Sequence, residues 1–562
     1  MNSIFIQLAI ILTLICSLGF ITYRLKLPLL IAYLVGGLLL AAAATFDISK
    51  SYVFSFLPDI GIAFVLFLVG MELDLRELKS FGKQIITAGL LQVIISATLG
   101  TYIAQSFGFK LPEAIYLGVG LSFSSTLVVV KLLLDRKDLT SLYGKLSIGV
   151  LLLEDLLAVI ILLVMTSGTK VNSSNLAFVF LLKIILLFGA AIGINRFILT
   201  PIFKAVSSSG ELLFLTVLAW CFGFISLAGL LGFSVLIGAF LAGVVLASSP
   251  YHYHIQGKIT PMRDFFVALF FVYLGTRVNF TEVSTLAPLI VIFALYAVLV
   301  KPLIFLLLFG IFGFRKHTMF KTAINLSQIS EFSLIILLIG LNLKVISQSA
   351  LSVIALSSVI SFIVSSVMIS QANRIYKFSA VVIAFFERKR TYLKESESEN
   401  KLSDHIVVIG AHRVGGEVVR FLKREKRSLV VLDFNPAQVE ALLSVDIPVI
   451  YGDMGDPEVL DILSLPRAKL IISTCPDLAD NKTLLEDLKL RHIFAPTIVR
   501  AETIKEAKIL YKLGADFVIV PDILAGDVLL NILREHLDDK GFFNDRPRIE
   551  LEKLSHKILA WE

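Results

Sequence analysis

The first 372 residues of the 562-residue chain are a succession of apolar runs parted by short polar turns. They fall near 4–22, 28–45, 54–71, 84–106, 112–134, 146–166, 176–198, 211–230, 232–248, 262–279, 284–311, 319–342 and 348–372. A helix needs about 20 apolar residues to cross the hydrocarbon core of a bilayer. Inside that core the backbone has no water to bond, so each run must satisfy itself as a helix. About thirteen spans are therefore expected. With 57% hydrophobic and 17% charged residues, the chain has no soluble alternative. The first run begins near Ile4 with no Lys or Arg before it and no small-residue cleavage site. It reads as a retained span, not a signal peptide.

Basic residues orient the spans. Arg24 and Lys26 follow span one, Arg76 and Lys79 span three, and Lys131, Arg136 and Lys137 span five. Arg196 and Lys204 end span seven, Lys258 and Arg263 follow span nine, Arg315, Lys316 and Lys321 span eleven, and Arg374 and Lys377 span thirteen. The even junctions carry Asp47, Glu113, Lys170, Glu282 and Lys344, which are sparse and mixed in sign. The N-terminus is thus expected outside and the C-terminus in the cytoplasm. The net charge of +7 fits this loop bias and gives no reason to expect a nucleic-acid partner. Cys16, Cys221 and Cys475 are far apart and form neither a disulfide framework nor a metal motif.

Against this background, polar groups at bilayer depth stand out. Span six reads Leu151-Leu152-Leu153-Glu154-Asp155-Leu156-Leu157. Each charge there costs about 2.5–3.5 kcal/mol on insertion scales, so a proton or cation site is the default reading of the pair. Span five begins Gly118-Val119-Gly120-Leu121-Ser122-Phe123-Ser124-Ser125-Thr126, a composition that supports a broken helix. Span twelve carries Asn325-Leu326-Ser327-Gln328-Ile329-Ser330-Glu331. Span eleven holds Lys301-Pro302, about ten residues from its end and too deep for easy snorkelling. Pro302 is expected to kink that helix, and Lys301 needs a counter-ion, which the acidic pair supplies. Two interrupted spans around acidic residues and a lysine are what inverted-repeat transporters display.

Composition changes after Tyr376. A charged linker contains Glu387-Arg388-Lys389-Arg390 and Lys394-Glu395. From His405 short apolar strands alternate with helices: His405 to Gly410, a helix over Val414 to Lys426, Leu429 to Asp433, Pro448 to Tyr451, Leu470 to Ser473, Thr497 to Arg500 and Phe517 to Val520. This predicts a doubly wound parallel sheet of Rossmann type. Gly410-Ala411-His412-Arg413-Val414-Gly415-Gly416 joins the first strand to the first helix, with Asp433 at the end of the second strand. Such a turn offers a helix N-terminus to phosphate and an acid to ribose hydroxyls. His412 takes the place of the second glycine, which favours a mononucleotide over a dinucleotide. A helix is expected at Asp527 to Leu537. The division predicted is membrane domain 1–378, linker 379–402, nucleotide-binding domain 403–525, and C-terminal helix and tail 526–562. His252 and His254 are expected in a solvated cytoplasmic loop, and Cys475 at a strand end.

These features together resemble the monovalent cation–proton antiporter-2 family, which includes the Kef-type potassium efflux systems. Ser124-Ser125-Thr126 with Lys131, the acidic pair, Lys301 and Gln328-Ile329-Ser330-Glu331-Phe332 carry the resemblance, together with Gly70-Met71-Glu72-Leu73. It implies a sodium/proton-antiporter-like fold of inverted repeats with two crossed unwound helices, a homodimer, and elevator-like alternating access. By resemblance Asp155 is the cation- and proton-binding carboxylate, with Glu154, Ser125, Thr126, Lys301, Gln328 and Glu331 around it. Glu154 stands where Kef-type proteins have Gln and the electrogenic sodium–proton branch has Asp. No metal is expected beyond the transported cation, K+ or else Na+.

The soluble part resembles the RCK/TrkA-N nucleotide-binding domains, through the Gly-rich turn, Gly452-Asp453 and Gly514-Ala515-Asp516. That implies AMP or another adenine nucleotide, with NAD(H) as an alternative, held by Gly410, His412, Arg413, Val414, Asp433, Asp453 and Arg500. With no catalytic base in view, an enzyme is not expected. The expected function is K+/H+ antiport regulated by a nucleotide, in a bacterial inner membrane, with lipid as environment, a role in pH homeostasis and room for an ancillary regulatory subunit. A Na+/H+ antiporter of the same fold and a ligand-gated K+ channel-like efflux system are the alternatives. The channel lacks a TVGYG-like filter.

Overall fold

The computed structural model describes residues 4–25, 27–42, 52–72, 82–136, 138–167, 189, 191, 193–206, 209–231, 235–247, 249, 252–278, 283–387, 403–433, 436–452, 454, 457–537 and 542. The transmembrane part and the parallel-sheet part are separate compact units. Most of span seven, the linker beyond Glu387, Asp453 and most of the C-terminal tail lie outside the described residues, as do Lys26, Arg76, Lys79 and Lys137.

Seven described helices are long and apolar enough to cross a membrane: Ile6–Arg24, Gln84–Ser106, Leu111–Leu134, Gly210–Leu230, Ile255–Thr276, Val283–Ile311 and Gln348–Ser370. Shorter apolar helices, among them Leu29–Ala42, Ile60–Met71, Val235–Ala247 and Glu331–Asn342, account for further expected spans. The apolar side chains split as a bilayer demands. Phe67, Leu117, Phe270 and Leu337 are fully buried, whereas Ile94, Tyr102, Leu230 and Leu299 face outward.

Close helix pairs rest on small residues, because lipid gives no hydrophobic drive between helices and contact must come from packing. Helices Tyr52–Glu72 and Val235–Ala247 meet through Gly70 and Gly243. A Cβ on Gly243 would overlap the Phe67 carbonyl, and one on Gly70 the Phe240 carbonyl. The Gly70-Met71 motif therefore has a packing reason to be small.

Spans five and twelve are both broken. Span five is helix Leu111–Ser122, a non-helical stretch from Phe123, which is extended, to Ser125, then helix Thr126–Arg136. Span twelve is helix Lys316–Asn325, a non-helical stretch through Ser330, then helix Glu331–Asn342. Span eleven does not break. Helix Val283–Leu295 passes through a π-helical turn, Tyr296–Val300, into helix Lys301–Ile311. The Lys301 N–H bonds back to the Tyr296 carbonyl, five residues earlier. The widened turn makes room for the Pro302 ring, which would otherwise clash one turn back.

Two local expectations are corrected. His252 and His254 are not in a loop: helix His252–Thr276 begins at the first of them. The last soluble helix runs Pro521–His536, since Pro is favoured in a first turn. It starts six residues before Asp527, so the boundary expected between 525 and 526 falls inside a helix.

The soluble unit is one parallel sheet of six strands: β1 (His405–Ile409), β2 (Leu429–Asp433), β3 (Val449–Tyr451), β4 (Ala468–Ser473), β5 (Thr497–Arg500) and β6 (Phe517–Ile519). Their order is β3-β2-β1-β4-β5-β6. The chain reverses direction across the sheet between β1 and β4, the switch point where such folds place a ligand. Gly410 after β1 has φ +81°, and a Cβ on Gly415 would overlap its carbonyl.

Gly243→Ala should lower the midpoint of thermal unfolding in detergent, read by fluorescence-detected size exclusion. Overpacking of this kind costs roughly 1–3 kcal/mol, and an unchanged melt would show that the helices can part at no cost.

Candidate functional site

The two breaks meet at Ser124. Its N–H, released where the helix unwinds, donates to Glu154 Oε2 at 2.6 Å. Its hydroxyl lies 3.4 Å from Glu154 Oε1 and 3.2 Å from the Leu326 carbonyl, on the other break. From the span-twelve side, Gln328 Nε2 donates to the Asn325 carbonyl at 3.0 Å and reaches the Ser125 carbonyl at 3.4 Å. Lys301 Nζ donates to the Gln328 carbonyl at 3.1 Å. Glu154, Lys301 and Gln328 are all fully buried. The Glu154 carboxylate and the Lys301 ammonium attract one another at the crossing.

Each break leaves orphan backbone groups of both kinds. On the carbonyl side, neutral or cationic donors cover them. Gln92 Nε2 takes the Ser122 carbonyl at 2.9 Å, and Lys301 and Gln328 cover span twelve. On the N–H side, Ser330 caps helix Glu331–Asn342 through its hydroxyl, which accepts from the Phe332 N–H at 3.1 Å. Ser361 Oγ accepts the Ile329 N–H at 3.2 Å. Asn325 is held in turn by Ser147, at 3.1 Å.

Asp155 points elsewhere. Successive helical residues lie about 100° apart, so the pair cannot share one face. Asp155 accepts the Thr126 hydroxyl at 2.9 Å. It lines a cavity with Val65, Val69, Thr126, Arg263 and Glu331. Thr126 and Glu331 are the first residues of the two second half-helices. Both positive helix ends therefore open on a cavity that holds two carboxylates. Glu331 Oε2 and Gln328 Oε1 are buried acceptors with no hydrogen-bond donor, and oxygens of this kind suit a hard monovalent cation.

The structure thus brings Asp155, Thr126 and Glu331 to one cavity, and Glu154, Lys301 and Gln328 to the crossing beside it. Ser125 spans the two, as a residue of the unwound segment. Sequence reasoning missed Gln92, Ser361 and Arg263. Gln92 and Ser361 sit singly in apolar runs and have no local pattern to mark them. Arg263 was read as a cation following span nine, but it lies about three turns into helix His252–Thr276, largely buried and 3.0 Å through Nε from Asp264.

In the soluble unit, Asp433 is buried and its Oδ2 accepts the Ala411 N–H at 2.7 Å, tying the end of β2 to the Gly-rich turn. Thr474 Oγ1 donates to the Gly410 carbonyl at 2.8 Å from the far side of the switch point. His412 and Val414 are exposed at the start of helix Arg413–Arg424. Arg500 ends β5 with a buried Nε that has no partner. Asp453 lies outside the described residues.

Comparison with known proteins agrees with these two units. The family described as sodium/hydrogen exchanger, transmembrane, matches residues 10–372, and the TrkA-N domain matches residues 406–521. The putative K(+) efflux antiporter KefB of Alkalimonas amylolytica is 28% identical over 532 residues, 93% of this chain and 80% of that protein. The chloroplastic K(+) efflux antiporter 1 of Arabidopsis thaliana is 27% identical over 91% of this chain, which spans only 44% of that longer protein. The solved sodium proton antiporter MjNhaP1 of Methanocaldococcus jannaschii aligns with 66% of this chain and 96% of its own, at 16% identity and a TM-score of 0.49. The chain belongs to the sodium/hydrogen exchanger transmembrane family: it is an integral membrane cation/proton antiporter that carries a TrkA-N domain behind its spans.

Proposed function

We propose that the chain exchanges K+ for H+ at Asp155, with the TrkA-N domain setting its activity in response to an adenine nucleotide. The observation that carries the first part is the divergence of the acidic pair. Glu154 is committed to the Ser124 N–H and to the field of Lys301. Asp155 faces a cavity with Thr126 and Glu331. A transported ion must reach its carboxylate, and Asp155 lines a cavity.

The exchange follows from charge. A proton on Asp155 removes the negative charge that holds a cation, and a bound cation disfavours the proton. Ser125 and Thr126, Gln328 and Glu331 offer further oxygens around the cation. Each ligand neutralises the carboxylate so that the loaded site crosses the barrier, whereas the bare charge does not. Glu154 and Lys301 are positioning residues that hold the crossing together while the two halves of the protein rock in an elevator-like motion. Alternating access of this type is supported by the crossed breaks, and a homodimer would supply the static frame.

Potassium is preferred over sodium because both curated relatives are named K(+) efflux antiporters. The basic bias of the odd-span ends supports an N-terminus outside and the TrkA-N domain in the cytoplasm of a bacterial plasma membrane. There the exchange would serve pH homeostasis. The nucleotide reading rests on the Gly-rich turn at the switch point. Phosphate would meet the Gly410 to Val414 backbone, Arg413 and Arg500 would supply positive charge, and a ribose would be received at Asp433 beside the Ala411 N–H. Asp453 is the remaining residue proposed for the adenine end.

Proteoliposomes with an internal pH dye test the transport reading. K+ gradients should drive proton movement that falls to the level of empty vesicles in Asp155→Asn and persists in Glu154→Gln, whose amide oxygen can still accept the Ser124 N–H. Glu154→Ala should instead lose roughly 1–3 kcal/mol of stability, the cost of an orphaned buried donor. Loss of exchange in Glu154→Gln with retention in Asp155→Asn would reverse the roles.

Competition predicts a pH dependence of definite sign. Apparent KM for K+ should rise as pH falls, approaching about tenfold per unit where the proton and the cation compete for one carboxylate. A KM independent of pH would remove direct competition.

Nucleotide binding should raise the thermal midpoint of the full chain. Asp433→Asn keeps an acceptor for the Ala411 N–H but loses the charge, so affinity for AMP or NADH should fall about tenfold, or about 1.4 kcal/mol. Equal shifts in parent and variant would place the ribose elsewhere.

A further inference from the structure

Helix Ala372–Ala384 follows the last span with only Gln371 between them. Three landmarks fix how it lies. It starts from the end of helix Gln348–Ser370. In its middle the Tyr376 ring packs 5.5 Å from that of Phe320, early in helix Lys316–Asn325. Just past its end, the Phe386 carbonyl sits where a Cβ on Gly310 would be, in the last turn of helix Lys301–Ile311. Successive spans alternate in direction, so the end of span eleven, the start of span twelve and the end of span thirteen share one face of the bilayer. A helix touching all three lies along that face and does not re-enter the membrane. Its 13 residues cover about 20 Å.

The helix surface is unequal around its axis. Ala372 and Ile383 are buried against the bundle, and Asn373 and Arg374 are exposed. Phe378, Val382 and Phe385 are 82%, 66% and 90% exposed. They stand at i, i+4 and i+7, the spacing of a single stripe. Two phenylalanines and a valine laid bare on one line are a liability in water and an asset at a lipid interface.

We propose that this helix is a membrane-surface anchor, with the Phe378–Val382–Phe385 stripe sunk into the acyl–headgroup boundary of the protein's own bilayer. Continuity with a membrane span, placement along the membrane face and the apolar stripe all select lipid as the occupant. Arg374, at the edge of the stripe, can run its stem through the apolar zone and hold its charge among headgroups. The anchor also braces the transport site. It packs on the helix that begins with Lys301 and on the half-helix that ends at Asn325. It is the last described element before the chain passes on to the TrkA-N domain.

The test is lipid quenching of single tryptophans in the reconstituted full chain. Phe378→Trp, Phe385→Trp and Asn373→Trp are each reconstituted with acyl-brominated phosphatidylcholine. Emission is read as the difference from the parent, which carries Trp220 and Trp561. All three positions are exposed, so each variant should fold, and recovery at the parent's elution volume verifies it. Quenching at positions 378 and 385 at least twofold stronger than at 373 is the expected result. Equal quenching at all three positions overturns the oriented anchor. Absence of quenching at 378 and 385, with a Phe385→Cys disulfide dimer forming across copies, assigns the stripe to a second copy and overturns the lipid assignment.

Discussion

The 2.6 Å hydrogen bond from the Ser124 N–H to Glu154 is the interaction on which the site depends. A helix unwound at bilayer depth exposes backbone donors that neither lipid nor water can satisfy, and each orphan costs several kcal/mol. A buried carboxylate carries a comparable penalty if left alone. Here each need meets the other. The Glu154 carboxylate also lies in the field of Lys301, whose ammonium in turn covers the Gln328 carbonyl on the second break. Ser124 closes the loop through its hydroxyl, within reach of the Leu326 carbonyl. Two broken helices are thereby held as one object. None of the four groups can leave without stranding a partner.

The neighbouring residue is placed differently. Asp155 shares the helix but not the face, and it accepts the Thr126 hydroxyl at 2.9 Å beside a cavity. One carboxylate of the pair is spent on architecture and the other stands where an ion can arrive. The helix ends sharpen this contrast. Amide and ammonium donors cover carbonyls released at the first half-helices, while both second half-helices present their positive ends to the cavity. The oxygens left for a cation are therefore chiefly side-chain carboxylate and amide groups, of which only the carboxylates can also take a proton.

Much of this was legible in the sequence because charged and hydrogen-bonding groups are expensive in lipid. Ser124, Gln328 and Glu331 within apolar runs announced both breaks, and Glu154-Asp155 announced the site. The parallel, doubly wound sheet of the soluble unit followed from short apolar strands alternating with helices and the turn at Gly410. What stayed hidden has local physical reasons. Gln92 and Ser361 reach their partners across other helices, at the Ser122 carbonyl and the Ile329 N–H, so no spacing reveals them. Arg263 looked like a cation following span nine because the polar run from Tyr251 to Lys258 masked a helix start. Pro302 pointed to a kink, and only the π-helical turn before it shows how the chain stays continuous. Resemblance singled out Asp155 of the pair, but which face each carboxylate turns toward span five is a fact of packing that adjacency cannot supply.

The central claim is that the pair divides its labour, with Asp155 exchanging its proton for the cation and Glu154 staying fixed to the crossing. The most direct measurement is proton release on adding K+ to purified protein in weakly buffered detergent, where no gradient or membrane potential intervenes. Release is expected from the parent chain and from Glu154→Gln, and none from Asp155→Asn. Release that survives in Asp155→Asn and disappears in Glu154→Gln would contradict it.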